Sequence, residues 1–458
     1  MNDATPPDGE ANRLSRRLMR YAQVGTNVGS VAAGLGVRYL LGMGLENGKN
    51  ATALATALGG LKGPLMKVAQ LLSSIPDVLP PEYAEELAKL QTQAPAMGWA
   101  FVRRRMAAEL GPDWTAKFAE FSHEAAASAS LGQVHKARSH DGRLLACKLQ
   151  YPDMQSAVEA DLQQLKLLLA VHKRIDPAVD TAEVATEIGA RLREELDYGL
   201  EARHTALYGA IFEGDALIRV PRPHPALSTS RLLTLDWMDG GRLLDYKARP
   251  QEERNQITRA LFRAWWYPFN HYGVIHGDPH LGNYTIFEAD GRAGGINLLD
   301  YGCMRTFAPR FVGGVIDLYR GLERGDRALI VHAYETWGFT GLSNDLIDIL
   351  NIWAKFIYGP LLDDRVRRIA EGVSPGQYGR KEAFTVHNGL RENGPVKVPR
   401  EFVFMDRAAI GLGGVFLHLD AELNFHQLFH ETIQDFSLDA VRTRQIEAFG
   451  QARVPLPE

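Results

Sequence analysis

Cysteine is nearly absent. Only Cys147 and Cys303 occur among 458 residues, which excludes a disulfide scaffold and suits a reducing compartment. Charge of one sign is not in excess either: 51 Lys and Arg stand against 55 Asp and Glu, a net charge of −4, so no global basic field points to nucleic acid. No uncharged apolar run reaches the roughly 18–20 residues that span a bilayer. The nearest, Val28 to Leu45, is glycine-rich and interrupted by Arg38. The opening MNDATPPDGEANRL is polar and acidic, unlike a secretory signal or an Arg/Ser-rich transit peptide. These absences lead to the expectation of a cytoplasmic protein, soluble or held on the inner face of a membrane, with mass for roughly two or three domains.

What is present falls into three parts after a polar tail at 1–10, which contains Pro6, Pro7 and Gly9. Residues 11–120 read as a helical extension. At its start Arg13, Arg16, Arg17 and Arg20 run beside the apolar stripe Leu14, Leu18, Tyr21 and Val24, giving a basic amphipathic helix over 11–25. The ordinary reading is a solvated face packed on the body of the protein; the functional one is peripheral contact with an anionic membrane. Pro80-Pro81 opens a second helix bearing Tyr83, Leu87 and Leu90. Near 121 the texture becomes β-like. SASLGQVHKARSHDGRLLACKLQYP reads as a hairpin turning at Asp141-Gly142, with Leu145, Cys147 and Leu149 on one face and Ala146, Lys148 and Gln150 on the other. Helices are expected at 153–175 and 181–213, and a strand at 231–238. Beyond 241 the pattern is helical, except for a hairpin through Asp290-Gly291 that delivers Asp300. The expected architecture is α+β, with a β-rich lobe at 121–240 and a helical lobe at 241–458.

The stretch HGDPHLGNY, residues 276–284, concentrates chemistry. His276, Asp278 and His280 alternate, as metal ligands of a hydrolase would on a strand, but Pro279 and Gly282 make a loop and no second His/Asp cluster lies nearby in sequence. Phosphoryl transfer needs a lysine for phosphates, an aspartate at the nucleophile and oxygen ligands for magnesium. Asp278 and Asn283 have the five-residue separation of H-R-D-L-x-x-x-N, Asp300-Tyr301-Gly302 follows a hairpin in the manner of D-F-G, and Lys148 in LACK stands where V-A-I-K has its lysine. Each match is weak alone; together, in order, they favour a bilobal protein-kinase-like fold binding ATP and Mg²⁺.

Over residues 60–330 the chain resembles the UbiB family of atypical protein-kinase-like proteins, the AarF-domain kinases. The residues that carry the resemblance are the alanine-rich AASASLGQVHKA (Ala127, Ser128, Ala129, Ser130, Gly132, Gln133, His135), Glu195, Asp197, Glu201 and Ala202 in EELDYGLEA, and HGDPHLGN with Leu281 in place of proline. KVAQ, Lys67 to Gln70, adds the K-x-G-Q signature with Ala69 for glycine. The resemblance implies ATP binding and ATPase-like activity, and support of ubiquinone or other isoprenoid-lipid metabolism with quinone-pathway proteins as partners. Many bacterial relatives end in two hydrophobic helices, whereas this chain ends EAFGQARVPLPE, so a spanning anchor is not expected.

The expected roles are then specific. Lys148 holds nucleotide phosphates and pairs with Glu201; Asp278 is the base or orients the nucleophile; Asn283 and Asp300 are magnesium ligands; Asp236 to Met238 form the adenine hinge. Ala127 and Ala129 stiffen the phosphate loop, because a Cβ penalises the φ > 0 conformations open to glycine. Asp197 and Glu201, four apart on one helix, would share a face and call for a cation. Cys147 reads as a packed small residue, and Trp265, Trp266, Tyr267 and Phe269 as a buried helix face, with an aromatic substrate box as the alternative. Other readings are a small-molecule kinase of the aminoglycoside or choline type, which lacks the K-x-x-Q helix and alanine-rich loop, and a nucleotide-gated, non-catalytic isoprenoid-binding protein.

Lys67 and Gln70, with Glu195 and Asp197, are expected to regulate access: Lys67 would latch its helix through a charge-assisted contact to Glu195 or Asp197. Lys67→Ala should keep ATP affinity and change the ATPase rate. Adding Ala129→Gly should give more autophosphorylation than either change alone. Double-mutant cycles on ATPase rate, crossing Lys67→Ala with Glu195→Gln and with Asp197→Asn, should show coupling. Additive cycles, with ATP binding lost as fully as in Lys148→Ala, would make Lys67 a phosphate ligand instead.

Overall fold

The computed structural model describes residues 96–128, 131–160, 162–163, 181–373, 378–393 and 400–457. The basic stripe at 11–25, the Pro80 helix, Lys67, Gln70, Ala129 and Ser130 lie outside them. The chain divides into two compact units, one up to Gly199 plus Pro223–Trp237, the other Leu200–Arg222 plus Met238–Glu458.

The first unit is a four-stranded antiparallel sheet in the order β1-β2-β3-β5, with helix α1 (Trp99–Leu110) against it. Its strands are β1 (Glu120–Ser128), β2 (Gly132–Arg138), β3 (Leu144–Gln150) and β5 (Leu232–Asp236). The β2–β3 turn forms at Asp141-Gly142, where Gly142 takes φ +85 and Ser139 N–H bonds Arg143 O at 2.9 Å. Period-two alternation then buries Leu145, Cys147 and Leu149 completely against Val102 and Met106 of α1 and against Trp114 and Phe118. Burial pushes the Cys147 thiol up to about 12, so Cys147 is an inert packing group. On the same helix Arg105 and Glu109 are buried at 1% and 4% side-chain exposure. Glu109 also receives Arg231 at 2.9 Å and the Thr229 hydroxyl at 2.6 Å, and Arg105 donates to Gln150 O and Tyr151 O. Buried charges are tolerable here because their donors and acceptors are matched.

One expected element is corrected. The single helix at 181–213 is two helices, α2 (Thr181–Glu194) and α3 (Tyr198–Ile211). Tight turn bonds close α2, from Leu196 N–H to Arg193 O at 3.2 Å and from Asp197 N–H to Glu194 O at 2.9 Å. The Leu196 carbonyl is taken by Gln150 Nε2 at 3.1 Å. Asp197 therefore precedes α3, and Asp197 and Glu201 do not share the face of one helix. The helical run expected at 153–175 is described over 154–160 and 162–163.

The second unit is built on α4 (Gln251–Tyr272), whose Ile257, Leu261, Trp265 and Phe269 recur every four residues and are buried. A sheet ordered β4-β9-β8-β6 combines the short β4 (Ile218–Arg219) and β6 (Gly241–Arg242) with the hairpin β8 (Tyr284–Ala289) and β9 (Arg292–Leu298). That hairpin turns at Asp290 and Gly291, both with positive φ. A two-stranded ribbon pairs β7 (Val274–His276) with β10 (Met304–Thr306). Among the described residues seven helices follow: α5 (Pro309–Arg324), α6 (Arg327–Thr336), α7 (Asn344–Tyr358), α8 (Arg380–Asn393), α9 (Arg400–Leu419), α10 (Phe425–Ile433) and α11 (Leu438–Ala452). The α+β class with a helical C-terminal region is the one expected. No helix among the described residues is long and apolar enough to cross a membrane.

Gly273 ends α4 in the left-handed region at φ +61, and a Cβ there would lie 2.5 Å from Phe307 O and from Gln445 Nε2. Gly291, at φ +74, has open space around it. Gly291→Ala should cost about 1–2 kcal/mol for the backbone conformation alone, and Gly273→Ala at least about twice that through the added clash. Denaturant midpoints of the two variants measure the difference; equal losses would mean the α4–β7 corner relaxes around a methyl group.

Candidate active site

In the second unit the ribbon β7–β10 sets Met304 opposite His276, which brings the loop after β7 against the segment after β9. Gly277 N–H donates to Cys303 O at 2.6 Å. A Cβ at 277 would lie 3.0 Å from that oxygen and 3.1 Å from Cys303 Sγ, so this approach requires glycine.

His276 is completely buried. Its Nε2 lies 2.6 Å from Asp300 O and its Nδ1 3.3 Å from Asp278 N. A carbonyl can only accept and an amide N–H can only donate, so Nε2 carries the proton and Nδ1 is bare. Both ring nitrogens serve the backbone, and neither is left for a metal. The loop closes further on itself: Asn283 Nδ2 donates to Asp278 O at 3.0 Å, Tyr284 OH to Pro279 O at 2.8 Å, and Gly282 N–H to His280 Nδ1 at 3.1 Å. Leu281, where proline was expected from the resemblance, opens the 3₁₀ turn Leu281–Asn283 and packs against the core. Asp278, Asn283 and Asp300 are thus joined through one hydrogen-bonded circuit.

The turn after β9 is braced from the other side. Asp300 Oδ1 accepts Gly302 N–H at 3.0 Å. Tyr301 is completely buried, edge-on to Tyr208 of α3 with ring centroids 5.4 Å apart. His204 of α3 reaches Tyr301 O at 3.2 Å through Nδ1. Glu201, one turn earlier on α3, is buried at 1% exposure. Burial, and then the neighbouring Tyr208 and Asp300, hold the Tyr301 phenol protonated well above its usual range; burial and Asp278 do the same for Tyr284. From below, Trp265 Nε1–H donates to His276 O at 2.9 Å. Trp265 and Phe269 are core residues, with Trp266 and Tyr267 partly buried against them, so the aromatic run is a helix face.

In the first unit Lys148 is half-buried on β3, between Val134 of β2 and Leu233 of β5, with its Nζ 5.2 Å from the Tyr198 ring centroid. Ala127 and Ser128 are the last residues of β1, opposite Val134 and Gln133, so this half of the alanine-rich stretch is strand. Asp236 ends β5 opposite Leu145, with Oδ1 2.7 Å from His224 Nε2; Met238 begins the segment that crosses to the second unit. Glu195 and Asp197 sit in the turn between α2 and α3.

Two residues of the alanine-rich motif prove to be core braces. Gln133 and His135 are completely buried. Gln133 accepts Met97 N–H at 2.7 Å and donates to Met97 O at 3.2 Å and to His135 Nε2 at 2.8 Å. His135 Nδ1–H then donates to Ser122 O at 2.9 Å. Burial holds this imidazole neutral, with its pKa below the usual histidine value. The sequence signal was available: Gln133 and His135 alternate onto the same face of β2, opposite to Lys136. The His224–Asp236 contact had no local signal.

A buried histidine bracing an H-G-D…N loop against a D-Y-G turn, in a chain that also carries a lysine in the middle of an antiparallel sheet, defines a protein-kinase-like protein. The profile of the ABC1 atypical kinase-like domain matches residues 89–334, and the chain belongs to that UbiB-type family. AarF domain-containing protein kinase 1 of Xenopus laevis is 32% identical over 272 residues, 59% of this chain and 52% of that protein. The mitochondrial atypical kinase COQ8 of Saccharomyces cerevisiae is 29% identical, over 66% of this chain and 61% of its own. The chain thus spans between half and two thirds of these curated relatives. A solved structure of Rv3197 with erythromycin, from Mycobacterium tuberculosis, superposes with TM-score 0.59 at 28% identity, covering 84% of this chain and 96% of that one.

Replacing His276 by Phe removes both loop bonds and strands the Asp300 carbonyl, at a cost of about 1–3 kcal/mol. Hydrogen exchange should accelerate at 300–304 and 277–283 while the β8–β9 hairpin keeps its protection. A uniform change across all three segments would mean that His276 braces the core in general and not this loop.

Proposed function

We propose that the chain binds ATP with Mg²⁺ and uses it as an atypical phosphotransferase or ATPase. The observation that supports this reading most is the circuit His276–Asp300 and Asn283–Asp278, which couples the residues a phosphoryl transfer needs. The donor set fits magnesium, a hard ion that prefers oxygen. Asn283 commits its amide nitrogen to Asp278 O, so its Oδ1 is the atom assigned to the ion, and Asp300 adds a carboxylate with one oxygen fixed by Gly302. Bound magnesium would neutralise charge on the phosphates. Lys148 is assigned to the α- and β-phosphates, with Glu201 as its carboxylate partner. Asp278 orients the acceptor and takes its proton. The end of β1 at Ala127 and Ser128, with Ala129 and Ser130, is assigned to the phosphates, and Asp236 to Met238 to the adenine. Lys67, Gln70, Glu195 and Asp197 are assigned to the regulation of access.

Relatives support a reading of the pathway served. COQ8 is a mitochondrial atypical kinase, and the resemblance to its family supports a role in ubiquinone or other isoprenoid-lipid metabolism, with the arginine stripe at 11–25 as a peripheral membrane contact. A second reading, nucleotide-gated binding of an isoprenoid lipid without transfer, is supported by Rv3197, whose solved structure is a complex with the small molecule erythromycin. Turnover of ATP by the wild type separates the two readings.

Mg-ATP should raise the melting temperature of the wild type, since it binds only the folded state. Asp300→Asn should weaken that binding by more than about tenfold and remove most of the shift. An equal shift in both proteins would sink the assignment of Asp300.

A further inference from the structure

Far along the chain from the kinase motifs, three potential ligands converge. Glu323 of α5 and His426 and His430 of α10 each bring one ligand atom to within 4.8 Å of the others. His426 and His430 are four apart and so lie on one face of α10. His430 Nε2 is 3.1 Å from Glu323 Oε1, close to the edge of about 3.3 Å that bonds of 2.0–2.1 Å give a zinc tetrahedron.

The Tyr319 hydroxyl sits among His430 Nε2 at 2.8 Å, Leu361 O at 3.1 Å, Glu323 Oε1 at 3.2 Å and His426 Nδ1 at 3.3 Å. It has one proton to donate. His426 Nδ1 lies 2.8 Å from Leu361 O, a pure acceptor, so the proton of a neutral ring is on Nδ1 and Nε2 is bare. A carbonyl that fixes the tautomer of an imidazole in this way is the usual outer support of a metal-ligating histidine. Asp364 accepts Asn424 Nδ2 at 2.8 Å and Gln427 Nε2 at 3.3 Å, which fixes the start of α10. One carboxylate beside two imidazoles presents the nitrogen and oxygen donors that suit a divalent ion of the zinc class.

We propose that Glu323, His426 and His430 form a binding site for a zinc-class divalent cation that ties α10 to α5. The three protein ligands leave a fourth position for water. The site is separate from the magnesium assigned above, whose ligands are Asn283 and Asp300, and it prefers a softer ion because imidazole nitrogens replace oxygens.

The test uses untagged full-length protein stripped with chelator and titrated with Co²⁺. Wild type should develop the visible d–d band of four-coordinate cobalt with one equivalent, Zn²⁺ should bleach it, and excess Mg²⁺ should not. Zn²⁺ should also raise the melting temperature, and Asp300→Asn should keep both responses. His426→Asn and His430→Asn should each weaken binding by more than about tenfold. If either histidine variant fails to fold, Glu323→Gln on the partly exposed face of α5 reads the same loss. Absence of the band and of the zinc shift in wild type, or their undiminished persistence in the double histidine variant or in Glu323→Gln, would overturn the proposal.

Discussion

His276 has no contact with solvent, and each of its two nitrogens answers one backbone group, the Asp300 carbonyl and the Asp278 amide. Leaving either group unpaired in that interior would cost about 1–3 kcal/mol, so the ring adopts one tautomer and one orientation. The loop it holds contains Gly277, Pro279 and Gly282, residues that do not build a regular ladder of their own. Its shape comes instead from this imidazole, from the ribbon β7–β10, and from Asn283 reaching back to the Asp278 carbonyl. The braces continue outward, with Trp265 beneath His276 O and with His204 and Tyr208 of α3 against Tyr301. Three carboxylate and amide side chains are thereby positioned by buried aromatic and imidazole groups.

The conspicuous polar residues of the chain therefore split into two kinds. His276, Gln133, His135 and His280 look chemical in the sequence, yet their ring or amide atoms hold backbone in place. Lys148, half-buried on β3, belongs to the other kind: its strand neighbours are apolar and its ammonium lies over the Tyr198 ring. A polar side chain placed in a dry core has to be matched, and that requirement explains why motif residues are specific even where they do no chemistry.

Legibility followed the range of the forces involved. The β2–β3 hairpin, the inward face Leu145, Cys147 and Leu149, and the Asp290-Gly291 turn depend on alternation and turn residues a few positions apart, and all were readable. The break between α2 and α3 was not. Residues 195–197 contain no glycine or proline; α2 stops there in tight turn bonds, and the Leu196 carbonyl is held by Gln150 of β3, 46 positions away. The pairing of His224 with Asp236 and the meeting of Glu323 with His426 and His430 are likewise long-range contacts.

The sequence by itself determined the α+β class, the two short hairpins, the order and spacing of Lys148, Asp278, Asn283 and Asp300, and through them the family. Spacing along a chain is enough for these, because turn chemistry and periodicity act within a few residues. Only the tertiary structure decided which histidines are braces, where the 181–213 segment breaks, and that α5 and α10 bring a carboxylate and two imidazoles together. Those outcomes depend on hydrogen bonds between groups distant in sequence, which form only where folding excludes water and every buried donor must find its acceptor.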